Sequence, residues 1–162
     1  MRGIEHSLPM QLLRAREAAM VAFRPMLRRH GLTEQQWRVL RVLAEYPALD
    51  AGELARRSLL LAPSLTRILQ HLESAGRVRR HRDPCDQRRA LFALTATGRR
   101  LFNRIAPESE ALYARLEAVF GSAALLKLTQ LLQDFSAAVG DPFATDSSPP
   151  NGVSRAQGKI GD

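Results

Sequence analysis

Residues 62–94 read APSLTRILQHLESAGRVRRHRDPCDQRRALFAL. Leu65, Ile68, Leu69 and Leu72 recur at helical spacing, so the stretch opens as a helix with one buried stripe. Pro63 suits the first helical position and Gly76 is a stop signal. The opposite face carries Pro63, Arg67, Gln70 and Ser74, flanked by Ser64, Thr66 and His71. Arg77–Arg82 and Arg89–Leu94 then read as two short strands around the turn DPCDQR. A helix with a short, polar, hydrogen-bonding outer face suits the major groove of a duplex. An arginine-loaded hairpin directly after it suits the neighbouring minor groove. The order predicts a winged helix-turn-helix.

The helix pair over 51–75 could by itself be a hairpin of helices that merely packs. The wing decides the matter. Residues 77–89 hold Arg77, Arg79, Arg80, Arg82, Arg88 and Arg89, opposed only by Asp83 and Asp86. A carboxylate facing DNA is repelled by phosphate unless it has a structural role. Asp86 is therefore expected to fix the loop and orient Arg88, the simpler alternative being an ordinary turn residue. The candidate DNA contacts are Pro63, Ser64, Thr66, Arg67, Gln70 and His71 on the helix, with Arg82, Asp86, Arg88 and Arg89 on the wing.

Upstream, a first helix is expected from about Leu8 to Arg29, with Leu8, Leu12, Ala15, Ala19, Phe23 and Met26 on one stripe. Pro25 should kink it or remove one hydrogen bond, and Gly31 should end it. Arg16 lies at the edge of that stripe, whereas Arg14 and Arg24 point away. Thr33 and Gln36 form a capping box for a second helix, with Leu32 and Trp37 as a hydrophobic staple; Trp37, Leu40 and Ala44 line its apolar face, and Pro47 follows. Asp50 and Glu53 repeat the box for a short third helix, with Leu49 and Leu54 as staple. Downstream, Thr95 caps a long fifth helix with Gly98 in its first turn and a kink expected at Pro107. Ser122 caps a sixth, where Leu125, Leu128, Leu132 and Phe135 share a face before Gly140. Residues 141–162, DPFATDSSPPNGVSRAQGKIGD, are expected to form a disordered tail.

The 162 residues suit one domain with an ordinary core, and 45% apolar with 25% charged residues is a soluble balance. The net charge of +8 suggests a polyanionic partner. The tail is slightly acidic, so the basic excess belongs to the folded part. No apolar run approaches the length of a membrane span, and no apolar segment follows the first charges. A cytoplasmic location is expected. The single cysteine, Cys85, excludes an internal disulfide framework; at the wing tip it could be redox-active, though an ordinary exposed residue is the simpler reading. His6, His30, His71 and His81 are too scattered for a zinc site, and no catalytic constellation, phosphate loop or cofactor motif is present. An enzyme is not expected.

The stretch LAPSLTRILQHLESAGRVRRHRDPCDQRRALFALTATGRRL resembles the winged-helix core of the MarR family of bacterial repressors, with DQRR and LTATG matching the wing and post-wing motifs. The resemblance extends over residues 7–138. SLPMQLLRAREAAM and HGLTEQQWRVLRVL further resemble a subgroup, the homoprotocatechuate-degradation-operon regulators and relatives that sense hydroxylated aromatic or heteroaromatic acids. Ala62 departs from the pattern, since such proteins usually place Ser or a similar residue at the helix cap. The resemblance implies a mainly α fold with a small β-hairpin wing. In it, a DNA-binding core over about 33–94 is joined to dimerisation helices over about 7–30 and 95–138. It implies an obligate homodimer on a pseudo-palindromic operator in double-stranded DNA, and a small-molecule pocket between the first, second and fifth helices. An aromatic carboxylate there would meet Arg16, with Trp37 as wall and Arg38 and Ser7 as polar contacts. No cofactor or metal is implied beyond such an effector. A sequence-indifferent architectural DNA binder, and a regulator responding to oxidation, are the alternatives.

Overall fold

The structure is a computed structural model and describes residues 3–84 and 86–140. Cys85, the candidate redox residue, and the stretch 141–162, the expected disordered tail, lie outside the described residues. Six helices and a small sheet follow one another. They are α1 (Leu8–Arg29), α2 (Glu34–Glu45), β1 (Leu49–Asp50), α3 (Ala51–Ser58), α4 (Ala62–Ser74), β2 (Val78–Arg82), β3 (Ala90–Leu94), α5 (Ala96–Phe120) and α6 (Ser122–Val139). A single 3-10 turn, Ile4–His6, precedes α1.

Local chemistry starts the helices. Thr33 accepts the Gln36 N–H at 3.2 Å while the Gln36 side chain accepts the Thr33 N–H at 3.0 Å, a complete capping box. Thr95 Oγ1 accepts from Gly98 N–H at 3.0 Å and starts α5. Asp50 caps α3 through the Glu53 N–H at 2.9 Å, but the expected reciprocal bond is replaced, because the Glu53 carboxylate turns to Arg56 and Arg57. Two expected caps are displaced by one residue. Ala62 is the first residue of α4, with Leu61 at the cap, so Ala62 does not fill the capping position. Ser122 likewise begins α6 behind Gly121, which takes φ +90. Pro25 and Pro107 lie inside α1 and α5 without ending either helix.

The hairpin gains a strand that its own pattern does not announce. Leu49 and Asp50 pair antiparallel with Phe92 and Leu91, giving the order β1-β3-β2. β2 and β3 pair from Val78↔Leu94 to Arg82↔Ala90, one residue shorter at the Arg77 and Arg89 ends than expected. The core lies between α2, α4, β3 and the middle of α5. Leu40, Leu43, Leu54, Leu65, Leu72 and Ile105 are essentially without solvent exposure. Both staple pairs join this core, Leu49 partly.

The α1 stripe divides. Phe23, Met26 and Leu27 are buried, but Leu8 and Ala15 at the other end are exposed. α6 packs on α5, yet none of its residues is buried. Its Leu126, Leu131 and Val139 are more than half exposed.

Candidate nucleic-acid interface and small-molecule pocket

α4 inserts Leu65, Ile68, Leu69 and Leu72 into the core, and this fixes what faces outward. Pro63, Thr66, Arg67, Gln70 and His71 are exposed and Ser64 is half-buried, all on the side the periodicity predicts. The Thr66 hydroxyl donates back to the Ala62 carbonyl at 2.9 Å, so what it leaves outward is an acceptor oxygen and a methyl group. The Arg67, Gln70 and His71 side chains make no hydrogen bond to another described residue. Their donors and acceptors remain available for base edges.

In the wing, Asp86 holds the loop through the main chain. Its carboxylate accepts the Arg88 N–H at 3.0 Å and its carbonyl accepts the Arg89 N–H at 2.9 Å. The Asp83 N–H closes the loop onto the Arg89 carbonyl at 3.0 Å. The guanidinium of Arg88 is exposed and is oriented through its backbone rather than gripped by Asp86 itself. Arg82 is exposed at the end of β2.

Arg89 differs from expectation. It forms an ion pair with Asp50, the cap of α3, and so ties the wing to the helix-turn-helix instead of reaching freely outward. Asp50 thus serves two elements. Its carboxyl is held below the ordinary range, first by the Glu53 N–H and then by Arg89, whose own pKa rises in return. The sequence shows Asp50 as a cap. That it also anchors the wing depends on β1 pairing with β3.

A second feature lies between α1, α2 and α5. A cavity of about 250 Å³ is lined by Arg16, Ala19, Met20, Phe23, Leu27, Glu34, Trp37, Arg38, Arg41, Tyr113 and Leu116. Aromatic rings build its walls. Trp37 stacks on Phe102 with centroids 5.5 Å apart, and Phe23 meets Tyr113 at 5.0 Å. Arg41 donates to the Tyr113 hydroxyl at 3.2 Å. The size is a little under the range usual for drug-sized ligands and suits a single-ring acid.

The structure brings Arg16, Trp37 and Arg38 to this cavity but not Ser7, which occupies the cap position of α1 without a capping side-chain bond. Arg16 is already engaged, with Glu17 at 2.8 Å and with Glu34. Arg24 does not point away. It pairs with the same two acids, Glu17 at 2.6 Å and Glu34. Burial would raise the Glu34 pKa, but hydrogen bonds from Arg24 and Arg16 outweigh it and hold the carboxyl below its ordinary value. Arg41, Tyr113 and Glu34 are pocket residues that the sequence reading missed. Arg41 could have been found, since it lies one turn after Trp37 on the same face. Tyr113 could not, because only the packing of α5 on α2 brings it there.

Among the described residues no group of three or more His, Cys, Asp or Glu side chains is placed to hold a metal, and no helix is long and apolar enough to cross a membrane.

A core-anchored helix with a free polar face, a wing clamped beside it and a lined cavity against the flanking helices define a winged-helix DNA-binding regulator. A model of the MarR family matches residues 30–89. The homoprotocatechuate degradative operon repressor of Escherichia coli is 47% identical over 131 residues, covering 81% of this chain and 88% of the relative. The HTH-type transcriptional regulator FarR of Neisseria gonorrhoeae is 42% identical, covering 80% of this chain and 89% of its own length. Among solved structures, NadR in complex with 4-hydroxyphenylacetate matches with a TM-score of 0.72 and 41% identity, over 84% of this chain and 96% of that one. The chain belongs to the MarR family. It is a DNA-binding transcriptional regulator, not an enzyme.

Proposed function

We propose that this chain is a cytoplasmic homodimeric repressor of an aromatic or heteroaromatic acid catabolic operon, released from its operator by a small hydroxylated aromatic acid. The observation that carries the reading is the cavity between α1, α2 and α5, where Trp37 and Tyr113 supply aromatic walls and Arg16, Arg38 and Arg41 supply cations. A ring with one carboxylate asks for that combination. The 4-hydroxyphenylacetate bound by the 41%-identical NadR is a molecule of this kind.

Apolar surface left uncovered supports the dimer. Leu8 and Leu13 on α1 and Leu128, Leu131, Leu132 and Phe135 on α6 are all 40% exposed or more, which is unusual for a chain that stays alone in water. Two copies joined there would present two α4 helices and two wings. Helix-turn-helix dimers place these about 34 Å apart on a pseudo-palindromic site. Pro63, Ser64, Thr66, Arg67, Gln70 and His71 would read the major groove, with Arg82 and Arg88 at the wing. Asp86 and Arg89 would keep the wing in position. An acid that prefers a dimer of unsuitable spacing lowers operator affinity by population shift.

Titration of the purified protein onto its own upstream DNA, with and without a panel of hydroxylated aromatic and heteroaromatic acids, tests the reading. Specific binding released by one acid supports it. Specific binding released by none removes the acid pocket, and equal binding to random DNA removes the operator.

A further inference from the structure

α4 begins without a polar side chain. Leu61 at the cap, Ala62 and Pro63 are all exposed, and the polar reading residues start only at Ser64. Leu61 is 70% exposed, at a position where Ser, Thr, Asp or Asn would accept a backbone N–H of the first turn. No side chain accepts there. The helix thus forgoes a cap and shows a large apolar group to water.

Packing does not account for this leucine. At helical spacing Leu61 lies four residues before Leu65 and would extend the buried stripe. Its backbone is extended instead, with φ −70 and ψ 145, and this takes the side chain out of the stripe. The preceding residue, Leu60, is only 4% exposed and joins the core cluster with Leu65. Those two occupy the staple positions, one residue before the cap and four after it. The seat that a leucine could fill for folding at this end of α4 is already taken by its neighbour.

What the exposed end faces follows from the helix it starts. In helix-turn-helix proteins the N-terminal residues of the recognition helix lie against base edges. In the major groove the apolar group that a base presents is the C5-methyl of thymine. The outward side of α4 is graded accordingly. Leu61, Ala62, Pro63 and the Thr66 methyl come first, and Arg67, Gln70 and His71 offer hydrogen bonds further along. From Leu61 to Gln70 the helix rises about 14 Å, which spans about four base-pair steps.

We propose that Leu61 reads a thymine in each half-site through the 5-methyl group, and so determines operator specificity beside the polar residues of α4. The proposal rests on the operator-binding reading given above. Contact takes both the leucine and the methyl out of water. A cytosine at the same place has no methyl and turns an amino group toward a side chain that cannot accept from it.

The test uses the full chain and its upstream operator, with each thymine replaced in turn by uracil. Uracil lacks only that methyl and keeps the pairing. Titration at fixed salt gives the affinity. The wild type should lose about fourfold per half-site at one or more thymine positions, the worth of one buried methyl. Leu61→Ser should bind the unmodified operator about tenfold more weakly and abolish the uracil penalty at one of those positions. Its Tm, at one fixed protein concentration, should be unchanged or about 2–4 °C higher, since serine supplies the missing cap. Leu61→Met, which keeps an apolar chain of similar volume, should retain the penalty.

A wild type indifferent to every replacement overturns the proposal without any variant. So does a Leu61→Ser protein that keeps the wild-type penalty at every position. A lower Tm in Leu61→Ser would make the leucine a packing residue, and a changed mass in sedimentation would make it a contact between protein chains; either result also overturns the assignment. Upstream DNA bound no better than random duplex overturns the operator reading instead, a result visible before any base is changed.

Discussion

Replacing Gly98 with alanine should destabilise this protein, although the same exchange in an exposed helix interior stabilises by up to about 1 kcal/mol. Gly98 is buried in the first turn of α5, and a methyl group there would lie 2.0 Å from the Arg77 carbonyl oxygen, 3.0 Å from its carbon and 3.3 Å from Leu94 Cδ2. The oxygen cannot easily withdraw. It accepts the Thr95 N–H at 3.1 Å and the Thr95 hydroxyl at 3.2 Å, and that hydroxyl also reaches the Gly76 carbonyl at 2.6 Å. Relief needs a backbone movement of about 1 Å, and forced shifts of packed structure cost about 1–3 kcal/mol. Disturbing the Thr95 cap adds about 1 kcal/mol. These terms exceed the helix gain, leaving a net loss of about 1–3 kcal/mol and a Tm lowered by about 2–4 °C for each of them.

The displacement would also reach function. Gly76 and Arg77 join α4 to β2, so the wing would move relative to the recognition helix and operator affinity should fall about tenfold. Thermal and urea unfolding followed by circular dichroism, at one fixed protein concentration, measure the first effect. Operator titration at fixed salt measures the second. A Gly98→Ala protein at least as stable as the wild type would refute the reasoning, since it would mean that the joint yields without cost.

Three further outcomes follow from the same geometry. Arg88→Ala should weaken operator binding about tenfold at fixed salt with no change in Tm, and an unchanged affinity would remove the wing from the interface. Asp50→Ala should lose about 1 kcal/mol at neutral pH through the α3 cap. The Asp50 carboxyl is depressed in the folded state, so its contribution is full above the unfolded value of about 3.9 and fades as pH falls through the lower folded value. Urea midpoints of the two proteins should therefore converge on acidification below that value, and a constant gap would exclude the charged carboxylate as the cause. Leu132→Glu places a charge on the exposed face of α6 and should convert a dimer to monomer in sedimentation analysis, whereas an unaltered mass would place the dimer contact elsewhere.

The helices were legible because their signals are local. The stripe of Leu65, Ile68, Leu69 and Leu72 depends only on helical spacing, and it settles by elimination which side chains of α4 face outward. The Thr33–Gln36 box and the Thr95–Gly98 cap are bonds between residues three apart. The hairpin is similarly short-range, with a turn flanked by two apolar or basic runs. Even the displaced caps at Ala62 and Ser122 missed by a single residue, because the backbone can begin a helix one step earlier at little cost.

The chain left undecided whatever depends on what meets what. Leu49 and Asp50 are too few to show a strand pattern, and they form one only because Phe92 and Leu91 arrive beside them. Arg89 meets an acid 39 residues away, and Arg41 a hydroxyl 72 residues away. A long, flexible cation carries no mark of its partner in its own neighbourhood, so Arg24 and Arg89 could be read as outward-facing until the packing of α1 on α2 and of the wing on α3 brought carboxylates to them. The amphipathic stripe of α1 shows the same division. Its period determines that one face is apolar, but only the tertiary arrangement decides that Phe23 and Met26 are covered within the chain while Leu8 remains exposed. Periodicity is a property of one helix, and burial is a property of two surfaces.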